Sequence, residues 1–410
     1  MRKAIAAGFH RQAEPALSEQ TIHSTKGDLP MSDMTADHIK LEIVDTGLVF
    51  RNPLPHVYAR HAYFPSVIQL TNGEMLASFT VGQAFESADL HTELSRSSDQ
   101  GATWVHEGRL YPGTADRVTS ESCRLSHGAD GEVIAYVIRH DRSRQDCGFV
   151  NPDNLGFVET EQLLFRSSDG GRTWSEPQTI APPLVGPEFE MTSPIVPLRD
   201  GTWILPTCTW KGFDGYCPNG MKMVAFRSDN QGSTWPDYID VMADARDIDI
   251  FWESKMIELT DGRILAAAWV YDREAGKDRD NHYVITRAAG IGSPFTEPRS
   301  CGLQGQTLNL MEIAPGRVLT VYRRTDVPGL WANISRIAGD EWVNEAEYPL
   351  WGSGRSGLTA HSGNMAADFT ALQFGAPSLI RTHSNHIFVS FWAVEDGVGN
   401  IRWIKLRLAG

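Results

Sequence analysis

Ser97-Ser98-Asp99-Gln100-Gly101-Ala102-Thr103-Trp104 returns as Ser167-Ser168-Asp169-Gly170-Gly171-Arg172-Thr173-Trp174. It returns a third time, with Asn in the Asp position, as Ser228-Asp229-Asn230-Gln231-Gly232-Ser233-Thr234-Trp235. A pattern that recurs every ~60–70 residues marks repeat architecture. Its spelling has a mechanism. Asp bonds its own backbone and Gly takes positive φ, which together make a tight turn between strands. Thr opens the next strand, and Trp is large enough to wedge the turn against a neighbouring sheet.

Around these turns the chain reads as hairpins. The first full unit runs over residues 65–79, with apolar runs on either side of Asn72-Gly73, a strong short-range hairpin signal. Similar units follow at 126–138 about Asp130-Gly131, 194–208 about Asp200-Gly201 and 255–269 about Asp261-Gly262. Two more lie at 308–322 about Pro315-Gly316 and 377–392 about Ser384-Asn385. The first three are each followed by a second hairpin bearing the repeated turn. The second hairpins at 283–298 and 330–342 read as degenerate, and the sixth unit keeps only Asn400–Leu406. The spare strand at 41–50 can fill that gap and remove an exposed edge. The expected fold class is therefore all-β, a six-bladed β-propeller closed by an N-terminal strand that completes the last blade.

Residues 1–38 are polar and unpatterned and read as a disordered tail before one domain at 39–410. The first ten residues have a basic front without an apolar core and do not read as a signal peptide, and Met31 offers a second start. No stretch reaches transmembrane length. Of 410 residues, 51 are acidic and 37 basic, for a net charge of −14, which disfavours nucleic-acid binding. Five Cys without C-x-x-C spacing read as free thiols in a reducing compartment, so a cytoplasmic location is expected.

The repeated octapeptide resembles the Asp-box (BNR repeat) of the sialidase superfamily, and the likeness covers roughly residues 40–408. It implies that family's six-bladed propeller, with the boxes on the outside and ligands at the central axis. The innermost strands then start near Tyr63-Phe64, Glu121-Ser122, Met191-Thr192, Trp252-Glu253, Gln306-Thr307 and Gly375-Ala376. The loops leaving the first hairpins carry Glu86, Asp89 and His91, then Arg139, His140 and Arg142, then Trp210-Lys211, Tyr271 and Arg323-Arg324. Carboxylates, Trp, His and Arg in such a ring suit a sugar: aromatic faces cover its C–H side and charges fix hydroxyls or a carboxylate.

By that resemblance Asp89 takes the place of the acid/base Asp, and Glu253 that of the Glu that supports a catalytic Tyr. The catalytic Tyr has no clear counterpart: Tyr348 is the nearest in order and Tyr271 the candidate by location. The first family Arg is replaced by Phe64, and a second falls near Trp269, leaving Arg323 or Arg324 as surviving partner of a substrate carboxylate. Two lost charged contacts, at about 1.5–3 kcal/mol each, argue against ordinary sialidase activity. Lys255 lies two residues beyond Glu253 on the same strand face. Trp252 is expected beside the sugar, and the Gly-rich insert beginning Trp210-Lys211 reads as a lid.

The favoured expectation is an exo-acting glycoside hydrolase that removes a terminal acidic or deoxy sugar from an oligosaccharide. A second is a lyase in which His91 or His140 abstracts a proton beside a uronate held by Arg139, Arg142, Arg323 or Arg324. A third is a glycan-binding propeller without turnover. No metal motif and no cofactor are expected, and a cation on the propeller axis is left open. Nucleic-acid and membrane partners are not expected, and the oligomeric state is unassigned.

Overall fold

A computed structural model of the chain describes residues 39–114, 116–360 and 368–410. The tail expected at 1–38 lies outside the described residues. The described chain is all-β, with a propeller arrangement of five antiparallel sheets.

The first sheet is His61–Gln69, Met75–Gly82, His91–Ser97 and Val105–Arg109, from the inside outward. The second is Thr119–His127, Val133–Asp141, Thr160–Ser167 and Gln178–Thr179. In the third, Glu188–Glu190 and Val196–Pro197 both pair with Trp203–Trp210, followed by Met223–Ser228 and Asp237–Met242. The last is Phe374–Arg381, Ile387–Glu395 and Val398–Ala409, with Lys40–Phe50 from the start of the chain as its outermost strand. That strand shields the edge which Val398–Ala409 would otherwise present.

The fourth sheet departs from expectation. Arg299–Ala314 is one strand of 16 residues. Its first part pairs with Asp280–Ile285, and its later part, from Gly305, pairs with Arg317–Arg324. Two four-stranded units therefore share a continuous strand, and with the short strand Lys277–Asp278 paired at one side they make one sheet of eight. The hairpin of Gly329–Ala338 and Glu341–Trp351 is full-length, against the degenerate one expected at 330–342.

The three repeated turns share one geometry. Ser97 Oγ accepts the Gly101 N–H at 2.8 Å, while Thr103 donates its N–H and its hydroxyl to Asp99 at 2.8 and 2.6 Å. Ser167, Asp169 and Thr173 repeat this. At the third turn Asn230 Nδ2 donates to Thr234 Oγ1, so one bond reverses and the turn survives. The Trp104 ring lies 6.0 Å from Phe388 of the neighbouring sheet. Buried clusters of this kind fill the space between adjacent sheets, as where Tyr136 and Leu164 meet Phe189 and Trp203.

Four innermost strands carry the same irregularity. Phe64, Glu253, Thr307 and Ala376 have φ of 52°, 49°, 49° and 48°. Each sits where strand register shifts, between Tyr63 and Ser66, Trp252 and Lys255, Gln306 and Asn309, and Gly375 and Ser378. A bulge re-aims a side chain, and a left-handed non-glycine residue costs about 1–3 kcal/mol that the surrounding sheet must offset. All four residues line the same axial cavity.

Candidate functional site

The axial cavity has a volume of about 590 Å³, within the range of small-molecule sites. One wall is aromatic. Phe64, Phe85 and Trp392 stand with ring centroids 5.3–6.4 Å apart. On another side Trp252 lines the cavity with Phe369 at 5.8 Å, and behind the lining it stacks on Trp269 at 4.1 Å and on Trp210 at 4.8 Å.

Within this collar lies a charged cluster of Arg124, Glu190, Glu253, Lys255 and Arg323. Glu253 donates its backbone N–H to Glu190 Oε2 at 2.8 Å. Its own Oε2 is buried and has no hydrogen-bond partner among the described residues. Burial, and then the charge of Glu253, push Glu190 well above the usual carboxylate range.

Three cations surround the pair. Arg124 donates from Nε to the Thr192 carbonyl and from Nη1 to the carbonyls of Phe64 and Cys123, each at 3.0 Å. Arg323 donates from Nε to Gln306 Oε1 at 2.8 Å and from Nη1 to the Phe374 carbonyl at 3.0 Å. In both, Nη2 makes no hydrogen bond to the described residues. Lys255 Nζ reaches only the Ser254 carbonyl, at 3.3 Å. Burial, and then the charge of Arg124, push its ammonium down to about 7. The donors left over are what an incoming carboxylate would take.

Of the residues expected from sequence, Trp252, Glu253, Lys255, Arg323 and His140 line this cavity. His140 lies against Phe149 with centroids 4.5 Å apart, and burial followed by the charge of Arg142 pushes it down to about 4. It is therefore neutral at pH 7.

The others lie elsewhere. Asp89 accepts the Gln83 N–H at 3.1 Å and caps its own loop, while Glu86 from that loop faces the cavity. His91 is bonded to Glu93 at 3.0 Å and to the Asp89 carbonyl at 2.8 Å. Arg139 pairs with Glu121 at 3.1 Å, and Arg142 donates to the carbonyls of Glu86 and Cys147. Arg324 pairs with Asp326 and Glu347, both at 2.7 Å. Trp210 is fully buried and donates to the Leu155 carbonyl, and Lys211 donates to that of Asn154. The expected lid is thus fastened to the loop before it. Tyr271 borders a separate chamber. Arg124 and Glu190 were not singled out from sequence, although a charged residue inside an apolar inner strand is itself a signal.

No protein-family model and no curated protein matches the sequence. Solved structures do match. A protein of unknown function from Dyadobacter fermentans DSM 18053 aligns with a TM-score of 0.67 at 20% identity, over 90% of this chain and 99% of that one. An α-L-arabinanase from Penicillium chrysogenum, complexed with arabinobiose, gives 0.61 at 14% identity over 90% and 98%. The intramolecular trans-sialidase from Ruminococcus gnavus, in complex with oseltamivir carboxylate, gives 0.61 at 11% over 88% and 96%. The likeness is one of fold. This chain has a sialidase-like propeller fold, and its chemistry has to be argued from the cavity.

Proposed function

We propose that the chain is a glycosidase-like, carbohydrate-active enzyme on a six-bladed propeller, the eight-stranded sheet counting as two blades. It removes a terminal acidic sugar at the axial cavity. One observation carries the reading: a carboxyl pair, Glu190 and Glu253, sits beside the unbonded Nη2 groups of Arg124 and Arg323 and the Lys255 ammonium. Two neighbouring carboxyls with unlike environments are the usual acid and base of glycoside cleavage.

In this reading Arg124, Arg323 and Lys255 hold the sugar carboxylate, and the Phe64, Phe85 and Trp392 rings cover its apolar face. Glu190, kept protonated by burial and by its neighbour, gives its proton to the leaving oxygen. Glu253 faces the carbon that gains positive charge and either stabilises it or activates the water that attacks it. Where Glu253 only stabilises the charge, the deprotonated Glu190 takes the water's proton directly; where Glu253 takes that proton as base, it returns to Glu190 through solvent, and in both cases the protein ends as it began.

Elimination fits less well. It asks for a His base beside an Arg clamp, yet Arg139, Arg142 and Arg324 are already bonded within the protein and His91 is tied to Glu93, which leaves His140 and Arg323 as the one base and clamp of that reading that line the cavity.

The test is an assay on sialosides, glucuronides, rhamnosides and uronate-containing oligosaccharides. It follows released sugar together with the ultraviolet absorbance of a new C=C bond. Sugar release without absorbance is expected. Release with absorbance would mean elimination, and binding without turnover would mean a lectin.

A further inference from the structure

Lys40–Phe50 covers the edge of Val398–Ala409 and presents an edge of its own, which no strand among the described residues pairs with. An open edge offers a row of unpaired N–H and C=O groups, and folded sheets blunt such edges by keeping them short or charged. The other outermost strands do so. Val105–Arg109, Gln178–Thr179 and Asp237–Met242 have five, two and six residues. Glu341–Trp351 has 11, but Glu345 and Glu347 on it are ion-paired with Arg317, Arg336 and Arg324.

Lys40–Phe50 is as long and is not blunted. Residues 42–46 are exposed without a break, so both faces of the strand stand clear there. Ile43 is 49% exposed on one face, and Val44 at 40% and Leu48 at 36% on the other.

A strand pairs antiparallel with its own copy about a two-fold axis normal to the sheet, and the residue on the axis then faces its own counterpart. Centring the pair on Glu42 or on Asp45 would set two carboxylates directly opposite each other, which is destabilising. Centring it on Ile43 sets Glu42 opposite Val44 and Asp45 opposite Leu41. Centring it on Val44 sets Glu42 opposite Thr46 and Asp45 opposite Ile43. The acids of this strand therefore select the two registers that also put an exposed apolar residue on the axis.

We propose that a second copy of the chain docks on this edge, so that the two Lys40–Phe50 strands pair antiparallel about Ile43 or Val44 and the last sheets of two protomers become one continuous sheet. No residue of the strand lines the axial cavity, so the interface stands apart from the glycosidase reading.

The experiment measures the mass of the full chain by light scattering during size-exclusion chromatography, and twice the mass of one chain is expected. The double variant Ile43→Glu, Val44→Glu sets carboxylates opposite carboxylates in both registers and should return the mass to that of one chain, with an unchanged circular-dichroism spectrum. Under mild oxidation one of the single variants Ile43→Cys and Val44→Cys should link two chains above the wild-type background, because only the residue on the axis meets its own copy. Thr46→Cys, about 13 Å or more from its copy in either register, should not. A wild type of single-chain mass at its highest soluble concentration, a dimer that survives the double variant, or a dimer in which neither Ile43→Cys nor Val44→Cys links would each overturn the proposal.

Discussion

The Glu253 backbone N–H points at Glu190 Oε2 from 2.8 Å, and it can do so because Glu253 is held at a φ of 49° on a bulged inner strand. The bulge turns the Glu253 side chain toward the axis and its amide toward Glu190. One strained residue thus sets both members of the carboxyl pair.

Glu190→Gln should keep the fold, since an amide oxygen can still accept the Glu253 N–H, but it has no acidic proton to give. A loss of about 10²–10⁴ in kcat is expected, with KM little changed. Glu253→Gln should lose a similar amount. Steady-state kinetics with a circular-dichroism check for folding measure this. Retained turnover in Glu190→Gln would move the acid role to another carboxyl, with Glu86 the next to examine.

Gly375→Ala tests the cation cluster without touching a charge. A Cβ at Gly375 would stand 2.3 Å from Arg323 Nη1, so the guanidinium has to move. Losing one charge-assisted contact to an acidic sugar costs about 1.5–3 kcal/mol, or roughly ten- to a hundredfold in kcat/KM. A neutral sugar analogue should be less affected. Unchanged kinetics on the acidic substrate would show that Arg323 does not hold the carboxylate.

The fold was legible where its signals are local. Ser97, Asp99, Gly101 and Thr103 bond to one another within a single turn, so the sequence carries the whole motif. The closing strand was legible because an unpaired strand at one end matched a missing one at the other. Arg299–Ala314 was not, because Gly302 and Gly305 lie inside it as breaker residues, yet the strand runs on through them and only the pairing partners change. Trp252, Glu253 and Lys255 could be placed by their position on an inner strand, and Arg323 by its position at the exit of a first hairpin. Glu190 was displaced by one residue because its strand ends at Glu190 and resumes only at Val196. Arg142 and Trp210 have the residue types of a sugar site, but their partners are carbonyls of distant loops that no local pattern reveals.

Gly171→Ala should separate stability from chemistry. Gly171 has a φ of 82°, and a Cβ there would meet Leu76 Cδ2 at 2.5 Å, across the boundary with the preceding sheet. Left-handed strain and the clash together should cost about 1–3 kcal/mol. Urea unfolding should show the lower midpoint while kcat stays within twofold, because the turn is on an outer hairpin and does not line the cavity. A loss of kcat in folded protein would contradict a purely structural role for the repeated turns.

Lys255 makes the site sensitive to pH near neutrality. Its ammonium titrates at about 7 when folded, against 10.5 for an unperturbed Lys. Between these values the unfolded chain holds a proton that the folded chain has released. Stability therefore gains from this group as pH rises from about 7 toward 10.5, and that contribution is lost as pH falls through about 7. Glu190 acts in the opposite sense, because its raised pKa makes the folded chain the one that keeps a proton as pH rises above the ordinary carboxylate range. Lys255→Met should abolish the stabilising rise at alkaline pH while leaving the Glu190 component, and urea midpoints at pH 6, 8 and 9.5 (approximate sampling points on either side of the transition) would resolve it. Binding runs the other way. The positive charge that receives the substrate carboxylate disappears as pH passes about 7, so KM for an acidic substrate should climb roughly tenfold between neutral and mildly alkaline pH. Lys255→Arg, charged throughout that range, should flatten the KM profile. A wild-type KM that stays level across the same interval would remove Lys255 from the carboxylate clamp and leave Arg124 and Arg323 to hold the sugar alone.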